Sequence, residues 1–80
     1  MQDKILIIVD TPQAAAMLQQ QVLADNVLVI GIGAVLTSSV NVKFNKVMLV
    51  TRCVQDMNAV AWYREHILPW LIEGHERVLI

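Results

Sequence analysis

The hydrophobic pattern of this chain changes period several times, and each change predicts an element. Ile5 to Val9 is an unbroken apolar run between Lys4 and Asp10, which predicts a strand buried on both faces. Thr11 and Pro12 follow. A threonine side chain accepts from the orphan amides of a first helical turn, and proline suits the first helical position because it has no amide to satisfy. Ala14, Met17, Leu18 and Val22 then recur at spacings of three and four, which predicts a helix with a narrow apolar stripe. Gln13, Gln19 and Gln20 lie mostly off that stripe, and Asp25–Asn26 ends the helix. Val27 to Ile32 predicts a second strand.

Beyond it, Val40, Val42 and Phe44 alternate with Asn41, Lys43 and Asn45, the period of a half-exposed strand, and Thr37-Ser38-Ser39 supplies a turn before it. Val47 to Thr51 is a further buried strand. A second helix is expected over about Asp56 to Ile72, with Met57, Val60, Ala61, Arg64, Ile67, Leu68 and Leu71 along one side. Pro69 removes an amide donor and crowds the carbonyl four residues back. The expectation is a kink, or a short second helix starting near Pro69 and closed by Gly74. Arg77 to Ile80 predicts a final short strand.

The order β-α-β-(β)-α-β over one domain, residues 1–80, predicts the α/β class. Two architectures fit. One is a small three-layer, Rossmann-like domain with a parallel sheet. The other is a ferredoxin-like α+β sandwich with residues 27–50 as an antiparallel hairpin. The two-sided apolar strands favour the first; the alternation at 40–44 favours the second, or an extra edge strand.

Composition changes this picture in one respect. The chain is 56% hydrophobic with a mean hydropathy of +0.55, high for a soluble monomer of 80 residues. Either the core is unusually large for the size, or some apolar surface is covered by a second copy or by another protein, and the second is the expectation. A membrane is not the expected cover. The longest uncharged stretch, residues 26–42, has 17 residues including several polar ones, short of the roughly 20 apolar residues of a spanning helix. Asp3 and Lys4 precede only five apolar residues, too few for a signal-peptide core, so a soluble cytoplasmic protein is expected. Six basic and seven acidic residues leave a net charge of −1, which offers no field for a phosphate backbone and argues against stand-alone nucleic-acid binding. The single cysteine, Cys53, allows no internal disulfide.

Three segments carry a family likeness. Thr51 to Trp62, TRCVQDMNAVAW, follows a strand and resembles the second motif of the TOPRIM domain, which in type IA topoisomerases runs roughly T-D-P-D-R-E-G-E-A-I-A-W. Thr51, Ala59, Ala61 and Trp62 match it without a gap. Ile8-Val9-Asp10-Thr11-Pro12 with Ala15 resembles the first motif, I-V-E-S-P-x-x-A, in which a strand ends in a catalytic glutamate. Gly74 to Ile80, some residues after Leu68–Pro69, resembles the closing strand of primase TOPRIM domains. The likeness implies a fold with a parallel sheet and a site that works on phosphodiesters with a glutamate and carboxylate-held magnesium.

The substitutions imply that this chemistry is gone. Asp10 stands at the glutamate position one methylene short, setting its carboxylate back by roughly 1–1.5 Å. Arg52 and Val54 stand where the two metal-binding aspartates belong. The first repels a cation and the second has no oxygen to offer. Asp56 matches a glutamate and is the one acid left in that motif. Asp10, Thr11, Thr51, Arg52, Gln55 and Asp56 are thus expected to form a binding surface at the carboxyl ends of the strands, with Asp10 and Asp56 as catalytic remnants and no metal or cofactor. The expected role is a non-catalytic module contacting a protein of nucleic-acid metabolism or a second copy of itself. The alternatives are a residual magnesium-dependent nuclease or nucleotidyl-transfer enzyme using Asp10 and Asp56, and a ferredoxin-like oligomerisation subunit.

Other signals have plain readings. Gly31-Ile32-Gly33 lacks the third glycine of a dinucleotide fingerprint, because Leu36 stands there, so the glycines are expected to serve a bulge or close packing. His66 and His75, beside Glu65 and Glu76, have no ligand spacing and are expected to face solvent. Cys53 is expected to be a buried or semi-buried thiol. Trp62 is assigned to the core; Trp70 is either core or a partly exposed interface anchor.

Overall fold

The computed structural model describes residues 3–36 and 43–80. Four strands, β1 (Ile5–Val9), β2 (Val27–Gly31), β3 (Phe44–Leu49) and β4 (Leu71–Leu79), form one sheet in the order β2-β1-β3-β4. Every pairing is parallel. The ferredoxin-like alternative is thereby corrected: β2 and β3 lie on either side of β1 and make no hairpin. The alternating segment contributes only its end, since Phe44 opens β3; Val40 to Val42 and the expected turn at Thr37 to Ser39 lie outside the described residues.

Helices cover both faces, but unequally. In β1, Leu6 and Ile8 are fully buried, whereas Ile5, Ile7 and Val9 are only half-buried. The expectation of a strand buried on both faces is thus half right. Leu6, Ile8, Ile30, Val47 and Leu49 pack in one cluster with Trp62, Tyr63 and Ile67 from the segment between β3 and β4. The opposite face carries α1 (Pro12–Gln21), which packs on β2 and the adjoining part of β1.

Helix α1 starts as its sequence dictates. The Oγ1 of Thr11 accepts from the Ala14 amide at 3.1 Å, and Pro12 takes the first helical position. Its inward face is not the predicted one. Ala15 is buried, and Ala14 and Met17 are exposed, Met17 by 65%. Leu18 and Val22 stay half-buried with Gln19 between them. The reason is the position of α1 at the rim of the sheet. Gln19 reaches the outer edge of β2, its Oε1 accepting from the Val29 amide at 2.8 Å and its Nε2 donating to the Val27 carbonyl at 3.4 Å. A polar residue belongs on this stripe because the stripe meets an open strand edge, not an apolar surface.

The second helical segment is broken where one helix was expected. A single turn, α2 (Arg52–Gln55), precedes α3 (Met57–Trp62), with Asp56 between them as the cap. The helix then widens into a π turn at Tyr63–Ile67 and tightens into a 3₁₀ turn at Leu68–Trp70 around Pro69. Proline cannot donate to the Glu65 carbonyl, so the regular ladder is lost just where Pro69 would have continued it. The buried positions are Ala59, Trp62, Tyr63 and Ile67, while Met57 is 86% exposed, so the predicted face is turned by about one residue. Leu71 and Ile72 belong to β4, not to the helix. Gly74 ends no helix: with a φ of +83° it lies in an irregularity of β4, where the pairing steps from Phe44–Leu71 to Lys46–Glu76. Among the described residues no helix is long and apolar enough to cross a membrane.

Candidate functional site

Strands β1 and β3 are neighbours, but their onward connections diverge. β1 leads through α1 to β2 on one side, and β3 leads through α3 to β4 on the other. At such a switch point the carboxyl ends of the strands leave a crevice, and in open α/β sheets ligands bind there. Ile8 stands opposite Leu49, and the Val50 amide donates to the Ile8 carbonyl at 3.3 Å, which brings the two strand ends level. Asp10 and Thr11 follow one end; Thr51, Arg52, Gln55 and Asp56 follow the other. The six residues singled out in the sequence therefore gather along one edge. Trp70 does not join them. It ends the 3₁₀ turn before β4, at the opposite edge, half-buried against the core.

Each residue on this edge has a definite task or exposure. Thr11 is occupied as the cap of α1. Thr51 and Gln55, flanking the short α2, are exposed, as is Asp10. Asp56 is committed to structure. Its Oδ1 accepts from the Asn58 amide at 2.9 Å and the Ala59 amide at 3.2 Å, capping α3. Its Oδ2 lies 3.5 Å from the Arg52 Nε, an exposed pair worth little by itself. The two amides, Ala59 first, hold the Asp56 carboxyl below its usual range, and Arg52 adds a smaller pull in the same direction.

Cys53 lies beneath this edge with 2% of its surface exposed. Burial pushes its thiol up, and the Asp10 carboxylate pushes the same way against Arg52, so the sulfur stays protonated at neutral pH. Trp62, the last residue of the motif, is core as expected, and its Nε1 donates to the Ala34 carbonyl at 2.8 Å.

The donor set is a poor match for the magnesium that the TOPRIM likeness implies. Among the described residues no three His, Cys, Asp or Glu side chains group closely enough to hold an ion. Hard cations take several oxygen ligands, and here one acid is tied to two amides beside a guanidinium. His66 is exposed near Glu65 at 4.0 Å. His75 is half-buried, and its Nδ1 lies 2.9 Å from the Ile72 carbonyl in an exposed contact.

A cleft of about 490 Å³ opens beside this edge, between α2, α3, the π turn and β4. Tyr63 and Arg77 on its wall drew no attention in the sequence. The signal lay in the spacing of His75 and Arg77, two apart on a strand and hence on one face, but the π turn that turns Tyr63 and Arg64 toward them has no sequence signature. No protein-family model, no curated protein and no solved structure matches this chain.

Proposed function

We propose that this protein is a non-catalytic binding module built on a TOPRIM-like, Rossmann-like frame, soluble in the cytoplasm and engaged with a protein of nucleic-acid metabolism or with a second copy of itself. The observation that carries this reading is the commitment of Asp56. The one acid left in the second motif caps α3 and pairs with Arg52, so it is not free to hold a cation or move a proton. The exposed group Asp10, Thr51, Arg52 and Gln55 is then a mixed-charge contact surface at the switch point. A protein partner is supported by the apolar side chains at the surface, among them Leu23 at 91%, Met57 at 86% and Ile80 at 53% exposure.

Calorimetric titration with Mg²⁺ and Mn²⁺ tests the lost chemistry. No saturable binding at millimolar ion is the expected result; tight binding abolished by Asp10→Ala overturns the reading. Sedimentation at micromolar concentration tests association, and a persistent 9.0 kDa monomer removes the self-association branch.

A further inference from the structure

The cleft beside β4 is chemically lopsided. Arg64 from the π turn and Arg77 from β4 both line it, two of the three arginines in a chain of net charge −1, and His75 lines it too. Among the described residues no carboxylate lines it and neither arginine takes part in an ion pair. Val54, Val60 and Leu68 make the apolar part of the wall.

Tyr63 supplies a second, independent observation. It is 93% buried, being 7% exposed, and its hydroxyl has no hydrogen-bond partner among the described residues. Buried hydroxyls are ordinarily paired; this one is enclosed behind the cleft wall beside Arg77, so an acceptor reaches it when the wall shifts on binding. Burial pushes the phenol up and Arg77 pulls it partly back, which leaves it a protonated donor at neutral pH beside a guanidinium. His75 is oriented as well. A carbonyl only accepts, so Nδ1 carries the hydrogen toward Ile72, and Nε2 is the nitrogen left for another contact.

We propose that this cleft binds a small organic anion, a carboxylate or phosphate monoester with an apolar body. The guanidinium groups of Arg64 and Arg77 take the anionic head in their planar forks, the Tyr63 hydroxyl donates to it, and the apolar body lies on Val60 and Leu68. The volume, about 490 Å³, falls within the roughly 300–1,000 Å³ of small-molecule sites. Cys53 on the same wall is buried and its thiol is pushed up, so it is not offered to the ligand as a nucleophile. This site is separate from the Asp10–Thr51 surface, and either can fail without the other.

The test is an NMR titration of the whole chain with phenyl phosphate, inorganic phosphate and benzyl alcohol. Phenyl phosphate is expected to give saturable shifts at the amides of Tyr63, Arg64, His75 and Arg77; inorganic phosphate binds more weakly there, and benzyl alcohol does not. Arg64→Gln and Arg77→Gln are each expected to weaken phenyl phosphate by about tenfold or more, the scale of one lost charge-assisted hydrogen bond. Tyr63→Phe weakens it less and leaves the remaining spectrum in place. Both arginines are exposed, but Arg77 lies in the sheet, so Arg64→Gln carries the test if Arg77→Gln fails to fold. Unchanged affinity in Arg64→Gln, equal binding of benzyl alcohol, or shifts confined to Asp10, Thr51 and Arg52 overturns the proposal.

Discussion

Replacing Gly31 by alanine adds a single methyl group at the place where β2 ends against the start of α1. Its backbone is not in the left-handed region, which among the described residues is occupied only by Gly33 and Gly74, so alanine adopts it without torsional strain. The obstacle is space. An ideal Cβ at Gly31 falls 2.5 Å from the Pro12 nitrogen, 2.5 Å from the Thr11 carbonyl carbon and 2.8 Å from its oxygen, where ordinary contact begins at 3.4 Å. All three are backbone atoms, and they are fixed. Pro12 has a locked φ, and the Thr11 carbonyl accepts from Ala15 at 3.0 Å in the first turn of the helix. Relief requires α1 to retreat by nearly an ångström or β2 to splay from β1. Overpacking of this kind costs about 1–3 kcal/mol, against a gain of about 0.4–1 kcal/mol from the stiffer unfolded chain. A net loss of about 1.3 kcal/mol lowers the melting temperature of a domain this size by roughly 5–10 °C. Thermal melts followed by circular dichroism, with urea unfolding as a check, measure it. Gly33→Ala is the control: its φ is +96° but nothing lies within 4 Å, so only backbone strain of about 1–2 kcal/mol opposes it. A Gly31→Ala protein melting within about 2 °C of the parent would refute the steric reading.

Gln19→Ala removes both side-chain bonds that close the outer edge of β2. It is expected to cost about 1 kcal/mol and to raise concentration-dependent association in size-exclusion chromatography. Cys53, buried and protonated, should react with a thiol reagent at least about a hundredfold faster in denaturant than in the folded protein. The Cys53 and Tyr63 groups are raised above their ordinary values of 9.0 and 10.0, so the stability they contribute is complete below about pH 9 and lost as pH rises further. The urea midpoint should fall along that alkaline limb. Asp56 is lowered from 3.8, so its contribution is present above that pH and lost as pH falls through the folded value; Asp56→Asn should flatten the acid limb.

The strands were legible because their signal is local. Ile5 to Val9 and Val27 to Gly31 are apolar runs with charged or polar ends, and Thr11–Pro12 marks a helix start by its own chemistry. The inward face of α1 was not, because it depends on where the helix sits: at the rim of a sheet Gln19 is worth more than Met17. The gathering of Asp10 with Thr51 and Arg52 followed from reading parallel strands, since parallel strands carry their carboxyl ends to one edge. What no local rule conveyed was that Asp56, matched to a metal-site glutamate by its place in a motif, serves its neighbours as a helix cap. Aspartate before an apolar helix is as good a cap as it is a ligand, and only the geometry at Asn58 and Ala59 decides between them.

The least predictable stretch of the chain is also the one that builds the cleft, and the two facts have one cause. A regular α-helix through Tyr63 to Ile67 followed by a regular ladder would be stable without help, and both regularities are broken within a dozen residues. The π turn widens the helix before Pro69, and the irregularity at Gly74 advances five positions along β4, from Leu71 to Glu76, against two along β3. The extra length sets Arg77 opposite Val47, on the face where Tyr63 and Arg64 project from the π turn. In an unbroken ladder continuing from Phe44–Leu71, Val47 would meet Gly74, and that wall would carry no charge. π turns and strand bulges cost regular hydrogen bonds and recur where side chains must be re-aimed. Here two such departures converge on one cleft holding two arginines and a phenol that have no partner among the described residues. Water satisfies the two exposed arginines, so the enclosed phenol is the group that packing leaves unexplained, and an anion held by the arginines supplies its acceptor.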